Sequence, residues 1–139
     1  MAEVTLLLGS NLGDRESNIR SALNLLDIAF CARPSASSPI ISTEACGFDG
    51  PEFLNCIVRY KSGKSPRTVL SICKGIEKKL GRSDGPEYDA EGKRIYHDRI
   101  IDIDILYYGN LRMESRELTI PHPQIETRPF VRKLLDSVR

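Results

Sequence analysis

Two hydrophobic periods run along this chain, and the switch between them marks out its elements. Residues 4–8 form a short unbroken apolar run, which predicts a buried strand, and Gly9-Ser10-Asn11 then breaks it. Further on, Ile19, Ala22, Leu23, Leu26 and Phe30 fall three and four residues apart, the stripe of an amphipathic helix, with Asp14 as its N-cap. The proline-bearing stretch 34–39 ends that helix, and a second strand runs through about Thr43. A loop with two glycines and a proline follows over 46–51.

Over 53–60 the period returns to two and predicts a third strand. Alternation places Phe53, Asn55, Ile57 and Arg59 on one of its faces. Ser65-Pro66 is a helix start, Ser as N-cap and Pro at the first helical position; Val69, Cys73, Ile76 and Leu80 form the buried stripe, and Gly81 is the C′ glycine. A polar stretch over 82–99 has no period. Residues 100–108 read as a strand, Gly109-Asn110 as a turn, and short pieces around Pro121, Pro123 and Pro129 lead to a last helix from Phe130. The order is β-α-β-β-α-β with additional C-terminal elements. It predicts an α+β fold of ferredoxin-like type, an antiparallel sheet with helices packed on one face, in a single domain over 1–139.

Composition narrows the function classes. With 40% hydrophobic and 28% charged residues the chain fits a folded domain, and a formal net charge of +1 gives no footing for non-specific nucleic-acid binding. Cys31, Cys46, Cys56 and Cys73 show no C-x-x-C spacing; three sit in apolar stretches, and free thiols in a reducing compartment are expected. No secretion signal is read at the N-terminus and no apolar run approaches the length of a membrane span, so a cytoplasmic location is expected, with no membrane partner.

The sharpest chemical feature is Asp102-Ile103-Asp104 within an otherwise apolar strand. Residues two apart on a strand share a face and stand about 6.5–7 Å apart. Asp is a poor strand former and like charges there repel, so a compensating positive group is expected. A hard divalent cation with oxygen ligands fits, Mg²⁺ bridging to phosphates best; the alternative is a strand with one wet face. The long stretch 82–99 carries Arg82, Lys93, Arg94 and Arg99 and ends beside these acids. It reads either as a phosphate clamp or lid, or as a solvated loop. Acids for a metal next to bases for phosphate describe a phosphoryl-transfer site. Phe53 with Asn55 suits a flat heterocycle, although packing in the core is the commoner fate of a Phe. Prolines on both sides of His122 fix where it points. Gly63-Lys64-Ser65 is not a P-loop, because the required glycine five positions earlier is Val58.

Together these residues resemble the 6-hydroxymethyl-dihydropterin pyrophosphokinase family of folate biosynthesis, from Leu6 to about Phe130. The most specific match is Asp98-Arg99-Ile100-Ile101-Asp102-Ile103-Asp104-Ile105-Leu106. Gly9-Ser10-Asn11-Leu12, Phe53-Leu54-Asn55, Ile76-Glu77 with Gly81-Arg82, and Leu118-Thr119-Ile120-Pro121-His122 support it in the same order.

The resemblance implies that ATP gives its β,γ-diphosphate to the hydroxymethyl oxygen of the dihydropterin and leaves as AMP. It implies that Asp102 and Asp104 hold two Mg²⁺ ions along the ATP phosphates, with Arg82 and Arg99 gripping phosphates. Phe53 and Phe130 would sandwich the pterin and Asn55 would bond its edge, with backbone help from Thr43, Glu44 and Cys46. Lys74, Glu77, Thr119, His122 and Arg128 would line the ATP side, and Leu70 and Ile105 would flank the adenine. The implied partners are these small molecules, and a monomer is favoured. The chain departs from the family pattern at Glu44, Lys74, Tyr96, His97-Asp98 and Glu117; at the last, the family arginine is matched only by Arg116, one place earlier and on the opposite strand face. The competing readings are another metal-dependent phosphoryl or nucleotidyl transferase and a non-catalytic RNA-binding module.

Overall fold

A computed structural model describes residues 1–43, 52–81, 87–88, 90–91, 94–95 and 100–138. In chain order the elements are β1 (Ala2–Ser10), α1 (Arg15–Phe30), β2 (Ala36–Ser37), β3 (Ile41–Thr43), β4 (Phe53–Ser62) and α2 (Pro66–Lys79). Then come β5 (Glu87–Tyr88), β6 (Arg94–Ile95), β7 (Asp102–Tyr108), β8 (Met113–Glu114), β9 (Thr119–Ile120), a 3₁₀ turn (Pro123–Ile125) and α3 (Pro129–Asp136). The fold is α+β: a principal antiparallel sheet in the order β2-β4-β1-β7, with β3 also paired to β4, and helices packed against it.

Local chemistry sets the helix ends. The Asp14 carboxylate accepts the Ser17 N–H at 3.1 Å and starts α1; the Ser65 hydroxyl accepts the Thr68 N–H at 3.2 Å and, with Pro66 following, starts α2. Gly81, at φ +107°, takes up the turn after α2. The end of α1 differs from expectation. The prolines do not stop it; Cys31 does, three residues before Pro34, by adopting the left-handed conformation at φ 52° while the N–H groups of Cys31 and Ala32 bond to Ile28 and Asp27. A side chain there costs about 1–2 kcal/mol relative to glycine. Cys31 is exposed, so Cys31→Gly removes no core contact. It is expected to raise stability by about 0.5–1 kcal/mol, read as a melting midpoint about 2–4 °C higher; an unchanged or lower midpoint would count against this account of the cap.

Tertiary pairing lengthens the strands beyond their apolar runs. β1 continues through Gly9 and Ser10, because both pair with β4 and Gly9 also pairs with β7. The expected second strand is β3, and the 34–39 stretch ahead of it adds a further short strand, β2; both pair with β4. Within the stretch expected to lack structure, β5 and β6 form a two-residue ladder.

Both faces of the sheet are covered, not one. On the first, Val4, Leu6 and Leu8 of β1 and Cys56, Val58 and Tyr60 of β4 meet Ile19, Ala22 and Leu26 of α1 and Val69 and Cys73 of α2. On the second, Leu7, Ile57 and Leu106 are covered by Val131, Leu134 and Leu135 of α3. Arg59 fastens that layer: its Nε donates to Thr5 Oγ1 and its Nη1 to the Val138 carbonyl, both at 3.2 Å. Of the described cysteines, Cys56 and Cys73 are buried free thiols, and burial pushes the Cys56 thiol up to about 12, so it acts as a small hydrophobe. Among the described residues no helix is long and apolar enough to cross a membrane.

Candidate active site

The ladder register builds the site on the second face of the sheet. Gly9 in β1 stands opposite Asn55 in β4 on one side and opposite Asp102 in β7 on the other. One row along, Leu7 stands between Ile57 and Asp104. Residues in register share a face, so Asn55, Asp102 and Asp104 all point towards the α3 layer. Two strand spacings separate the Asn55 and Asp102 backbones, about 9.5 Å.

On the β4 side, Asn55 is only 5% exposed, and its Nδ2 donates to Thr43 Oγ1 at 2.5 Å. Thr43 pairs with Phe53 across β3 and β4, so its hydroxyl fixes the amide while its backbone belongs to the ladder. The Asn55 Oδ1 and the Phe53 ring crowd over Gly9. A Cβ built at Gly9 would lie 2.7 Å from that oxygen and 3.3 Å from Phe53 Cδ1, so only glycine allows this close approach. Phe53 is half-buried and belongs to neither apolar cluster of the described residues. Phe130, in the first turn of α3, is half-buried at the margin of the second cluster, and the Arg128 guanidinium lies 6.0 Å from its ring centre. Asn11, just past β1 and within the Gly9-Ser10-Asn11-Leu12 match, is 1% exposed.

On the β7 side a cleft of about 280 Å³ follows the outer edge of the sheet. Leu70, Lys74 and Glu77 of α2 form one wall, Arg116 to Thr119 and His122 the other, and Asp102 to Ile105 the floor. Six of the residues expected on the ATP side are thus brought together with both aspartates. Ile105 is one of them but is 3% exposed and packs in the first core, so little of it is offered as a flank. Arg128 does not line this cleft. Arg116 does, beside Glu117, which also bonds Arg67 Nη1 at 3.0 Å on the exposed rim. Glu44, Cys46, Arg82 and Arg99 lie outside the described residues, as do Lys93, Tyr96, His97 and Asp98.

His122 is held by the backbone. β7 carries one extra residue, Leu106, between Ile105 opposite Leu6 and Tyr107 opposite Thr5. The Leu106 carbonyl at this bulge accepts the His122 N–H at 3.0 Å. His122 Nδ1 in turn accepts the Gln124 N–H at 3.1 Å, which leaves the proton of the neutral ring on Nε2. Nε2 faces Asp104 Oδ1 at 3.9 Å. Burial and then the Arg128 charge hold the imidazole below its ordinary pKa, with Asp102 opposing them. The ring is therefore neutral at pH 7 and presents an N–H donor to the cleft.

The donor set suits a hard cation that is incompletely caged. Among the described residues no group of three or more His, Cys, Asp or Glu converges on one point. Two carboxylates on one strand face, with the cleft open beside them, match an ion that takes its remaining ligands from water and phosphate oxygens.

The sequence is similar to those of known proteins along nearly its whole length. The sequence model of the family described as 7,8-dihydro-6-hydroxymethylpterin-pyrophosphokinase (HPPK) matches residues 5–139. A 2-amino-4-hydroxy-6-hydroxymethyldihydropteridine pyrophosphokinase of Porphyromonas gingivalis is 42% identical over 140 residues, covering 99% of this chain and 91% of that protein. One of the same name from Bacillus subtilis is 34% identical over 125 residues, 89% and 70% of the two chains. The mitochondrial folate synthesis bifunctional protein of Pisum sativum is 40% identical over 129 residues, which span 93% of this chain and 24% of that protein.

Proposed function

The chain belongs to the 7,8-dihydro-6-hydroxymethylpterin-pyrophosphokinase family, and from that premise we propose how its residues carry out the transfer of diphosphate from ATP to the hydroxymethyl group of 6-hydroxymethyl-7,8-dihydropterin. One observation carries the reading: Asn55, Gly9 and Asp102 form a single row across three strands. The row sets an amide suited to a heterocycle edge about 9.5 Å from a metal-type carboxylate. That separation is of the order of a two-ring pterin with its hydroxymethyl arm and one phosphoryl group.

Phe53 and Phe130 stack on the two faces of the pterin, and Asn55, oriented by Thr43, bonds its edge. Glu44 and Cys46 complete the pterin side. ATP lies along the β7 cleft with its adenine towards Leu70 and Ile105. Lys74, Thr119 and the His122 Nε2–H line it, Glu77 stands behind them in the α2 wall, Arg128 adds charge, and Arg82 and Arg99 bind phosphate oxygens. Asp102 and Asp104 hold Mg²⁺, two ions in this reading. Bound there, the metal neutralises phosphate charge and polarises the β-phosphoryl group. The hydroxymethyl oxygen bonds to the β-phosphorus, the bond from that phosphorus to the α,β-bridging oxygen breaks, AMP departs, and the hydroxyl proton is released. Positioning and charge neutralisation are what such a transfer asks of the protein.

The test is turnover with ATP, Mg²⁺ and the hydroxymethyl-dihydropterin, with nucleotides separated by chromatography. AMP formed only when pterin and metal are both present is the expected result. ADP in its place, or no product from folded protein, would overturn the reading. Phe53→Ala is expected to weaken pterin binding about 10–100-fold, the worth of one stacked ring, and ATP binding far less. Calorimetric titration of each ligand checks this, and equal losses would return Phe53 to the core.

A further inference from the structure

We propose that Glu77 is a positioning residue for the aspartate-bearing strand: its carboxylate anchors the backbone between Asp102 and Asp104, and does not act on the nucleotide through its charge. This rests on the reading of those two aspartates as Mg²⁺ ligands.

β7 is the outer strand of the sheet on this side. In an antiparallel ladder, alternate residues turn their N–H and C=O groups away from the partner strand. On an outer strand such groups need water or a side chain. The Ile103 N–H is one of them, and Glu77 Oε2 accepts it at 2.8 Å. Both residues are 5% exposed, so without that oxygen the N–H would be buried and unsatisfied.

The anchor is stiff. Glu77 lies on α2 directly after Ile76, and Val69, Cys73 and Ile76 lock that helix into the first core. Ile103 has Asp102 before it and Asp104 after it, so displacing its peptide group moves both carboxylates together. The ladder pairing of the Asp102–Asp104 segment is with β1 alone, and the Glu77 bond adds a tie on its other edge. Groups that orient ligands in this indirect way commonly affect metal binding as strongly as they affect structure.

Two substitutions separate reach from charge. Glu77→Gln keeps an acceptor oxygen at the same reach and removes the charge. Glu77→Asp keeps the charge and withdraws the oxygen by one methylene. In the ligand-free chain, Ile103 amide hydrogen exchange, followed by NMR, is expected to stay slow in Glu77→Gln and to quicken about tenfold or more in Glu77→Asp. In titrations of a non-transferable ATP analogue, the Mg²⁺ concentration for half-maximal binding should rise about 10–100-fold in Glu77→Asp and stay near the parent value in Glu77→Gln. The opposite ranking, Gln impaired and Asp intact, would assign Glu77 a charge role and overturn the proposal. So would an Ile103 amide that is equally slow in both variants. Analogue binding by the parent chain that ignores Mg²⁺ would overturn the metal reading itself, and the amide measurement tells that failure apart from failure of the anchor.

Discussion

Asp104→Ala is expected to fold and to bind the pterin, yet to turn over about 10³-fold more slowly than the parent chain, a loss of the size seen when one charge-stabilising group is removed from an active site. The fold should survive because Asp104 belongs to neither apolar core of the described residues. It lies on the sheet face with its side chain 28% exposed, and the cores are built from its neighbours Ile103, Ile105 and Leu106. Its charge stands about 7 Å from that of Asp102. Two like charges at that distance repel by about 0.6–2.4 kcal/mol for effective dielectric constants between 80 and 20, with partial exposure favouring the lower end. Removing one should leave the melting midpoint unchanged or slightly higher. Turnover should fall because the cation loses one of the two carboxylates the protein offers. Stopped-assay turnover, thermal melting and pterin titration on the same preparation check the three parts. Undiminished AMP formation would sink the metal assignment, and a midpoint lowered by several degrees would give Asp104 a structural role.

Much of this site could be read from sequence because its residues lie in elements whose periods are strong. The 4–8 and 100–108 runs, the caps at Asp14 and Ser65, and the alternation that puts Phe53, Asn55, Ile57 and Arg59 together all rest on interactions within a few residues. The paired aspartates stood out for a local reason as well: acids two apart in an apolar strand are costly without a partner.

What could not be read depends on other parts of the chain. That β1 continues through Gly9 is decided by β4 and β7, which hold it on both sides. The second cover layer follows from where α3 returns, and Arg59 reaching Val138 across 79 positions has no local trace. The bulge at Leu106 shifts the face presented by the end of β7, so strict alternation fails there. Cys31 as a helix stop is invisible because the left-handed position usually selects glycine. The bond from the Ile103 N–H to Glu77 spans 26 residues and has no local trace either.

Gly9→Ala is the second substitution with a large expected effect, and it tests the row on which the site is built. The new methyl would meet Asn55 Oδ1 at 2.7 Å and Phe53 Cδ1 at 3.3 Å, closer than ordinary contact for the first and tight for the second. β1 is central and paired on both sides, so it cannot shift away; the Asn55 amide has to turn instead. Turning it breaks the bond to Thr43 and withdraws the group that reads the pterin edge. Overpacking costs about 1–3 kcal/mol, while the alanine returns about 0.4–1 kcal/mol by restricting the unfolded chain, so the fold should persist with a modest loss. Pterin affinity should drop about 100-fold, more than stacking or one hydrogen bond alone would account for, because both neighbours move. ATP binding, beyond β1 in the β7 cleft, should change far less. A double-mutant cycle with Asn55→Ala identifies the route. If the methyl acts through the amide, adding Gly9→Ala to Asn55→Ala costs little further pterin affinity. If the two losses add in full, the methyl blocks the ligand directly and Asn55 is not the group it displaces. Parent-like pterin binding by Gly9→Ala would mean that the heterocycle does not lie over this row.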